Sequence, residues 1–429
     1  MCFHINCGNF ATVNKKNNII NVTIKDLENK KKNIGLKETN VLSLSYGNIK
    51  EKNIDDNKGL LPESFETYQI IEPNDIVFRF TDLQNDKRSL RSAISKYHGI
   101  ITSAYIAVKT KQNADFYNYL FRAYDLQKVF YSMGEGMRQS LKMDELNKMP
   151  VVLPSEDEQK RIVAFLNTET TRIDNLISKQ EKLIELLEEQ RKSIISHAVT
   201  KGLNPNAPMK DSGVEWLGDV PEHWMTPSSK HLLEIPITDG PHETPNFVDD
   251  GVPFISAEAI SKGKIDFDKK RGYITPELNA IYSKKYSPKI EDIYMVKSGA
   301  TTGKVAMVET TEEFNIWSPL AVFRCNKNKV LPKFLLAVFN SSHFYDALVL
   351  NWSYGTQQNI GMGVLSNIEI PCPPLKEQAE IIQHLDAQNT KFDKLISTQS
   401  QLIEKLKEYR SSIISHAVTG KIDVREFGA

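Results

Sequence analysis

The sequence predicts a mixed α/β chain in which two globular heads alternate with two long helices that pair antiparallel as a coiled coil, the whole a tandem pseudo-twofold repeat. Three observations carry this. First, residues 154–200 and 373–419 align without a gap at an offset of 219, with 25 of 47 positions identical. Chance does not give that, so the chain is a duplication of two units. Second, each repeat keeps one apolar row every seven residues. In the first copy the row is Leu166, Ile173, Gln180, Leu187 and Ile194; in the second it is Leu385, Phe392, Gln399, Leu406 and Ile413. Such a row is a helix seam that needs a partner, and the other copy is the nearest one. Third, the segments before each repeat hold short β-rich runs separated by turn residues, which read as heads of mixed structure.

In chain order, the first head spans 1–152. Strand-like runs lie at Asp75–Phe80 and Ile100–Val108, and a helix is expected over 115–131. The first long helix lies in 153–203. From Glu158 to Val199 it has no Pro or Gly, and Leu, Glu, Lys and Gln dominate. At 1.5 Å per residue its 158–199 core is roughly 60 Å long. Leu176, Leu183 and Gln190, with Leu395, Leu402 and Tyr409 in the second copy, lie three residues after the heptad row and complete the seam, and Ile177, Ile184 and Ala198 widen the stripe. The connector, 204–222, is rich in Gly, Pro and Asn and reads as ordered chain. The second head, 223–371, has strands at Ile293–Val296 and Pro319–Arg324 and a helix over 332–349. The second long helix lies in 372–420 and a short tail in 421–429. Because the copies share one register, a pseudo-twofold pairing would bring the helix centres Gln180 and Gln399 together.

The heads are also related, weakly. Val41–Ser45 matches Val252–Ser256, Asn74–Ile76 matches Glu291–Ile293, and Gly136–Leu141 matches Gly355–Ile360. Their offsets of 211, 217 and 219 imply loop changes around a common scaffold. Each unit is therefore a variable head on a nearly constant helix.

Composition bounds the function classes. The chain has 429 residues, 40% of them hydrophobic and 25% charged, as in a globular protein of several domains. Apolar runs such as Phe334–Phe339 are far shorter than the ~20 residues of a membrane span. The start, Met1–His4, is not a secretory signal. Four scattered cysteines without a CxxC pair argue against a disulfide framework or structural zinc, and they suit a reducing cytoplasm. With 54 basic and 54 acidic residues the net charge is zero, unlike a nonspecific DNA coater. Any contact with nucleic acid must rest on local patches or on partner chains. Residues 1–150 hold 22 basic against 17 acidic side chains, and 223–371 hold 15 against 16, so any local excess is in the first head.

No catalytic constellation is present. Gly299–Lys304 is one residue short of a phosphate loop, and Val305 replaces the Ser or Thr that would hold magnesium. It reads instead as a strand-to-strand turn with Lys297, Ser298, Thr301, Thr302 and Lys304 at its tip. Small polar and basic side chains there suit phosphates or base edges, and a plain solvated turn fits as well. Arg79, Lys87, Arg88 and Arg91 form the matching basic cluster of the first head. Such clusters are often only solvated faces, as Lys269–Arg271 and Lys284–Lys285 illustrate. Arg138 and Gln139, and at the same offset Gln357, Gln358 and Asn359, complete the candidate DNA-contacting set. His197 and His416 sit at matched helix ends without a second ligand at i+4, so no metal site is expected.

The unit order, the SIISHAVT helix ends, the connector Met209–Trp224 and the tail Thr419–Arg425 together resemble the specificity (S) subunits of type I restriction–modification systems. The resemblance covers nearly the whole chain. It implies two target-recognition domains, each reading one half of a bipartite, gapped site in double-stranded DNA, with the helices as spacer. It implies docking of two methyltransferase (M) subunits and, where present, restriction (R) subunits. S-adenosylmethionine and ATP then belong to those partners, and this chain has no cofactor and no catalysis. Differing tip residues imply an asymmetric target, with half-site centres about one helical turn apart. The first head shows no counterpart of Trp216–Trp224, so a truncated or lost N-terminal segment is expected. The competing reading is a coiled-coil scaffold with two protein-binding heads.

Overall fold

The computed structural model describes residues 20–23, 27–35, 38–45, 47–52, 64–81, 90–132, 141–261, 263–351, 353–354, 358–425 and 427. The fold is mixed α/β and divides into two units. The first comprises 1–181 with 400–429, and the second comprises 182–399. Each unit thus holds one head and part of each long helix.

The long helices run Glu156–Lys201 and Leu375–Val418. Their ends follow from local chemistry. Ser155 Oγ accepts the Glu158 N–H at 3.4 Å, and Glu156, Asp157 and Glu158 set negative charge on the first turn. Gly202 and Gly420 follow the two C-termini at φ +73° and +71°, left-handed positions where a glycine ends a helix without strain.

In the first unit, Arg410 clasps Asp174 with Nε and Nη2 at 2.8 and 3.1 Å. Leu166 and Ile173, both fully buried, share a core with Ile413, Ile414, Ala417 and Val418. In the second unit Arg191 bonds Asp393 and lies over the Phe392 ring. Ala198 and Val199 share a core there with Ile381 and Leu385. The two helices run antiparallel in each unit. The repeat offset of 219 turns Asp174 into Asp393 and Arg191 into Arg410, so one ion pair occurs twice. Extended along the helices, its register sets Gln180 level with Glu404 in the first unit and Gln399 level with Glu185 in the second. The pairing therefore departs from the midpoint that the repeat alone suggests.

Burial along the helices separates the apolar rows. Leu385, Phe392, Ile403 and Ile413 are buried. Gln180, Leu187, Ile194, Gln399 and Leu406 are half-buried. The second row expected in the seam is largely open, since Leu183, Leu395, Leu402 and Tyr409 are exposed, whereas Ile177 and Ile184 are half-buried and Ala198 is buried. A two-helix pair has one facing seam, so this second row is left over.

Each head is built on a four-stranded antiparallel sheet of the same order. In the first it runs Glu28–Asn29, Ile106–Lys109, Ile76–Phe78, Ser92–Ile94; in the second, Thr238–Asp239, Leu320–Phe323, Ile293–Val296, Val305–Met307. The inner strands are apolar on both faces because each sheet is covered twice. Phe78, Phe80, Phe121 and Phe130 pack on one side of the first sheet. Leu42, Leu44, Val77 and Ala107 pack on the other. A parallel contact recurs beside each sheet, Val41 with Ile100 and Val252–Ile255 with Asn315–Ile316.

A buried glutamine joins head to helix in both units. Gln159 accepts the Asn113 N–H and donates to Pro154 O; Gln378 accepts the Leu331 N–H and donates to Pro373 O. The helix that follows each anchor, Ala114–Leu126 or Pro332–Phe339, packs on its sheet.

Three expected elements are subdivided. The run 100–108 breaks into Gly99–Ile101 and Ile106–Lys109 at a turn closed by Tyr105 N–H to Thr102 O, 3.1 Å. The helix over 115–131 ends at Leu126, and a 3₁₀ turn at Val129–Ser132 follows Lys128, which is left-handed at φ +61°. The helix over 332–349 is two, Pro332–Phe339 and Ser342–Asn351, because Ser341 Oγ caps the second by accepting the Phe344 N–H. The connector forms a hairpin, Met209–Asp211 with Asp219–Pro221, and buries Leu217, Val220 and Trp224 in the second core. The strand Ile20–Thr23 pairs with Pro150–Leu153 as Met225 pairs with Cys372, which gives Ile20 the place of Met225. Residues 1–19 lie outside the described residues.

Candidate nucleic-acid interface

The repeated sheet offers a hairpin loop at the same place in each head. In the second head it joins Ile293–Val296 to Val305–Met307, and in the first it joins Ile76–Phe78 to Ser92–Ile94. The loops differ in length and residues.

In the second head the loop is a tight turn. Gly299 and Gly303 hold φ +105° and +87°, and Gly303 N–H bonds Val296 O at 2.8 Å. Thr302 is buried, its Oγ1 donating to Gly299 O at 2.7 Å, so this candidate braces the turn and does not offer its hydroxyl outward. Lys304 is exposed; Ser298 and Thr301 are half-buried. Ser298 makes a β-bridge to Asn359, which is itself exposed and which brings a second polar segment to the turn.

Lys297 is only 13% exposed and bonds Asp239 at 2.9 Å. Asp239 also bonds Lys285 at 2.7 Å and His242 at 3.1 Å. Burial pushes the Asp239 carboxyl up, but the bonds from Lys285 and Lys297 outweigh it and hold the group below its ordinary range. The tip is therefore a charge network of donors and one acceptor, not a row of free cations. Beside it, Lys297 N–H bonds Pro319 O and Ser318 N–H bonds Pro241 O. Trp317 lies under the Arg271 guanidinium, 5.7 Å from its carbon. Sequence reasoning missed Asp239, His242 and Trp317. Only the basic runs containing Arg271 and Lys285 gave a signal there, and a basic run alone does not say which face it joins.

In the first head the candidates scatter. Arg79 is half-buried, with its N–H on Arg91 O at 2.8 Å. Arg91 is fully buried, which corrects its place among the DNA-contacting candidates. Its Nη1 donates to Thr81 O at 3.0 Å, its Nε to the Tyr131 hydroxyl at 3.4 Å, and its backbone N–H to Asp125. Its guanidinium holds the base of the loop and is not presented to a ligand. Lys87, Arg88, Arg138, Gln139 and Gln357 lie outside the described residues. Gln358 belongs to a short strand paired with Ser353–Tyr354.

Among the described residues no group of three or more His, Cys, Asp or Glu could hold a metal, and no helix is long and apolar enough to cross a membrane. His197 and His416 are exposed. Cys325 is buried, and burial pushes its thiol up to about 12.

Comparison with known proteins agrees with this architecture. The sequence profile of the type I restriction modification DNA specificity domain matches residues 91–188 and 221–408, more than half of the chain and both of its repeats. The MjaVIII type I restriction enzyme specificity subunit of Methanocaldococcus jannaschii is 26% identical over 339 residues, covering 76% of this chain and 75% of that protein. A putative MjaX specificity subunit of the same organism is 27% identical over 322 residues, covering 72% and 68%. A solved chain described under complex assembly and conformational transition of the type I R-M system aligns with TM-score 0.67. It covers 94% of this chain and 98% of its own at 16% identity, a likeness of fold.

Proposed function

The chain belongs to the type I restriction–modification DNA specificity family, and from that premise we propose that its two heads each read one half of a split, asymmetric site in double-stranded DNA. One observation carries the reading: both heads contain the same sheet with the same loop position, and the loops differ. A common scaffold offers the loop in a common way, while different side chains present different donors and acceptors to the groove. In the second head the readers are Lys297, Ser298, Thr301, Lys304 and Asn359, with Lys285, Asp239 and Trp317 beside them. In the first they are Arg79 with Lys87, Arg88, Arg138 and Gln139.

The helices act as spacer and as docking surface for two methyltransferase subunits. The exposed apolar rows support this. Leu183, Leu186 and Leu395 are open in the second unit, and Leu402 and Tyr409 in the first. Exposed leucines at helical spacing are a surface waiting for a partner helix. S-adenosylmethionine and ATP are bound by methyltransferase and restriction subunits, and this chain is non-catalytic. Its zero net charge fits that division, since partners closing on the duplex would supply much of the phosphate attraction.

The test is a domain exchange. Residues 223–371 are replaced by the matching head of a related chain, the complex is expressed in a host without its own system, and methylated bases are mapped. One half of the methylated motif should change while the other half and the gap persist. A swap that altered both halves would end the independent-reader model.

A further inference from the structure

A polar cavity of about 700 Å³ in the first unit has no part in that reading. It lies between the turn Gly47–Lys50, residues 90–97, the helix Ala114–Leu126 and the long helices at Asn167 and Arg410. Four cationic side chains line it, Lys50, Lys96, Arg122 and Arg410, against one acidic side chain, Asp115. Lys50 and Lys96 are exposed.

Arg122 is the informative member. Its Nη2 donates to Gly47 O at 2.8 Å and to Ser92 O at 2.9 Å, both uncharged acceptors. Gly47 is left-handed at φ +72°, and a Cβ there would lie 2.2 Å from Arg122 Nη1. The glycine is what lets a guanidinium lie beneath the turn. Burial lowers the Arg122 pKa, Asp125 opposes that, and the positive charge of Arg410 adds to it. Two guanidinium groups thus share a partly dehydrated space, and Asp174 clasps only one of them. Four cationic side chains against one carboxylate, with a half-buried guanidinium hydrogen-bonded to neutral carbonyls, describe a site short of an anion.

The second unit is built differently. Counted from the anchor N–H that each helix gives to its buried glutamine, Asn113 or Leu331, the places of Asn118, Tyr119 and Arg122 are taken by Leu336, Ala337 and Asn340. The cavity is therefore no consequence of the shared scaffold.

We propose that this cavity binds a phosphate-bearing ligand, with Arg122 at its floor and Lys50 and Lys96 as charged partners. Phosphate oxygens match guanidinium and ammonium donors, and the volume suits a nucleotide-sized polyphosphate better than a lone ion. The phosphate could come from a free nucleoside polyphosphate or from the DNA backbone.

Isothermal titration of the full chain with tripolyphosphate tests this. One site is expected, weakened about tenfold or more in Lys50→Glu/Lys96→Glu, the effect of losing ~1.4 kcal/mol of contact. Thermal unfolding of that variant should match the parent. A control with equal charge change elsewhere, Lys210→Glu/Lys264→Glu, should bind as the parent does. Displacement by ATP but not by a short unrelated duplex assigns the site to free nucleotide; displacement by the duplex assigns it to the DNA backbone. No binding below millimolar tripolyphosphate, equal weakening in both variants, or displacement by neither competitor overturns the proposal.

Discussion

Asn74 and Glu291 do the same work in the two heads. Both are left-handed, at φ +73° and +69°, and each precedes a buried aspartate that starts an inner strand. Asp75 accepts the Glu72 N–H at 2.6 Å and pairs with Lys30 at 2.7 Å. Asp292 accepts the Lys289 N–H at 2.9 Å and the Tyr286 hydroxyl at 2.6 Å, and Arg324 grips it at 2.8 and 2.7 Å. The strained turn is tolerated because each aspartate over-determines it. Asp292→Ala would leave Arg324 and Tyr286 short of a partner, so it should cost about 3–5 kcal/mol in urea unfolding. A loss below 1 kcal/mol would show the network to be dispensable. Asp239 makes the pH prediction. Its folded pKa is depressed, so its contribution is present above the unfolded carboxylate pKa of about 4 and is lost as pH falls through the folded value. The second head should lose stability on acidification below about pH 4, and Asp239→Asn should flatten that part of the profile. Equal acid slopes in parent and variant would remove Asp239 from the account.

The long helices separate two roles that look alike in sequence. Ile173 is fully buried, and Ile173→Ala should destabilise the first unit by about 2–5 kcal/mol, read as a lowered urea midpoint. Leu402 is exposed, and Leu402→Ala should change stability by no more than about 0.5 kcal/mol. If the open row is the docking surface, Leu402→Ala with Leu183→Ala should weaken capture of the methyltransferase subunit while stability holds. Normal capture by that double variant would move the docking site elsewhere. The head helices carry the other functional contrast. Asn118, Tyr119 and Arg122 line a cavity in one unit, whereas Leu336, Ala337 and Asn340 take those places in the other.

For the whole molecule, the repeat explains how one chain serves a two-part target. Duplication copied the sheet, the glutamine anchor and the ion pair, and divergence fell on the loops. If the helices space the heads, lengthening them should lengthen the gap in the target. A heptad inserted after Leu187, matched by one after Ser397 at the same level of the register, adds about 10 Å. That is roughly three base pairs at ~3.4 Å each, and methylation mapping should show a gap wider by about that much. An unmatched heptad after Leu187 alone shifts one seam past the other and should abolish binding. An unchanged gap after the matched insertion would mean that the helices do not set the spacing.

Sequence alone determined what is periodic or repeated. The two long helices, their seam rows and their duplication were legible because a heptad is a local pattern and a 219-residue offset needs no fold to be seen. The kinship of Asn74–Ile76 and Glu291–Ile293 was visible for the same reason, while the left-handed turn at each emerged only in the fold. Tertiary structure alone decided what each charged or apolar side chain faces. Arg91 reads as one more cation beside Arg88, yet it is buried against Thr81 O and Tyr131, 10 and 40 residues away. Lys297 reads as a free tip lysine, yet it is held by Asp239, which no spacing rule connects to it. Leu395 and Leu402 sit at good heptad positions and remain exposed, because two helices have only one face to share. Local pattern sets which elements form, while burial and pairing depend on which distant residues the fold brings within a few ångströms.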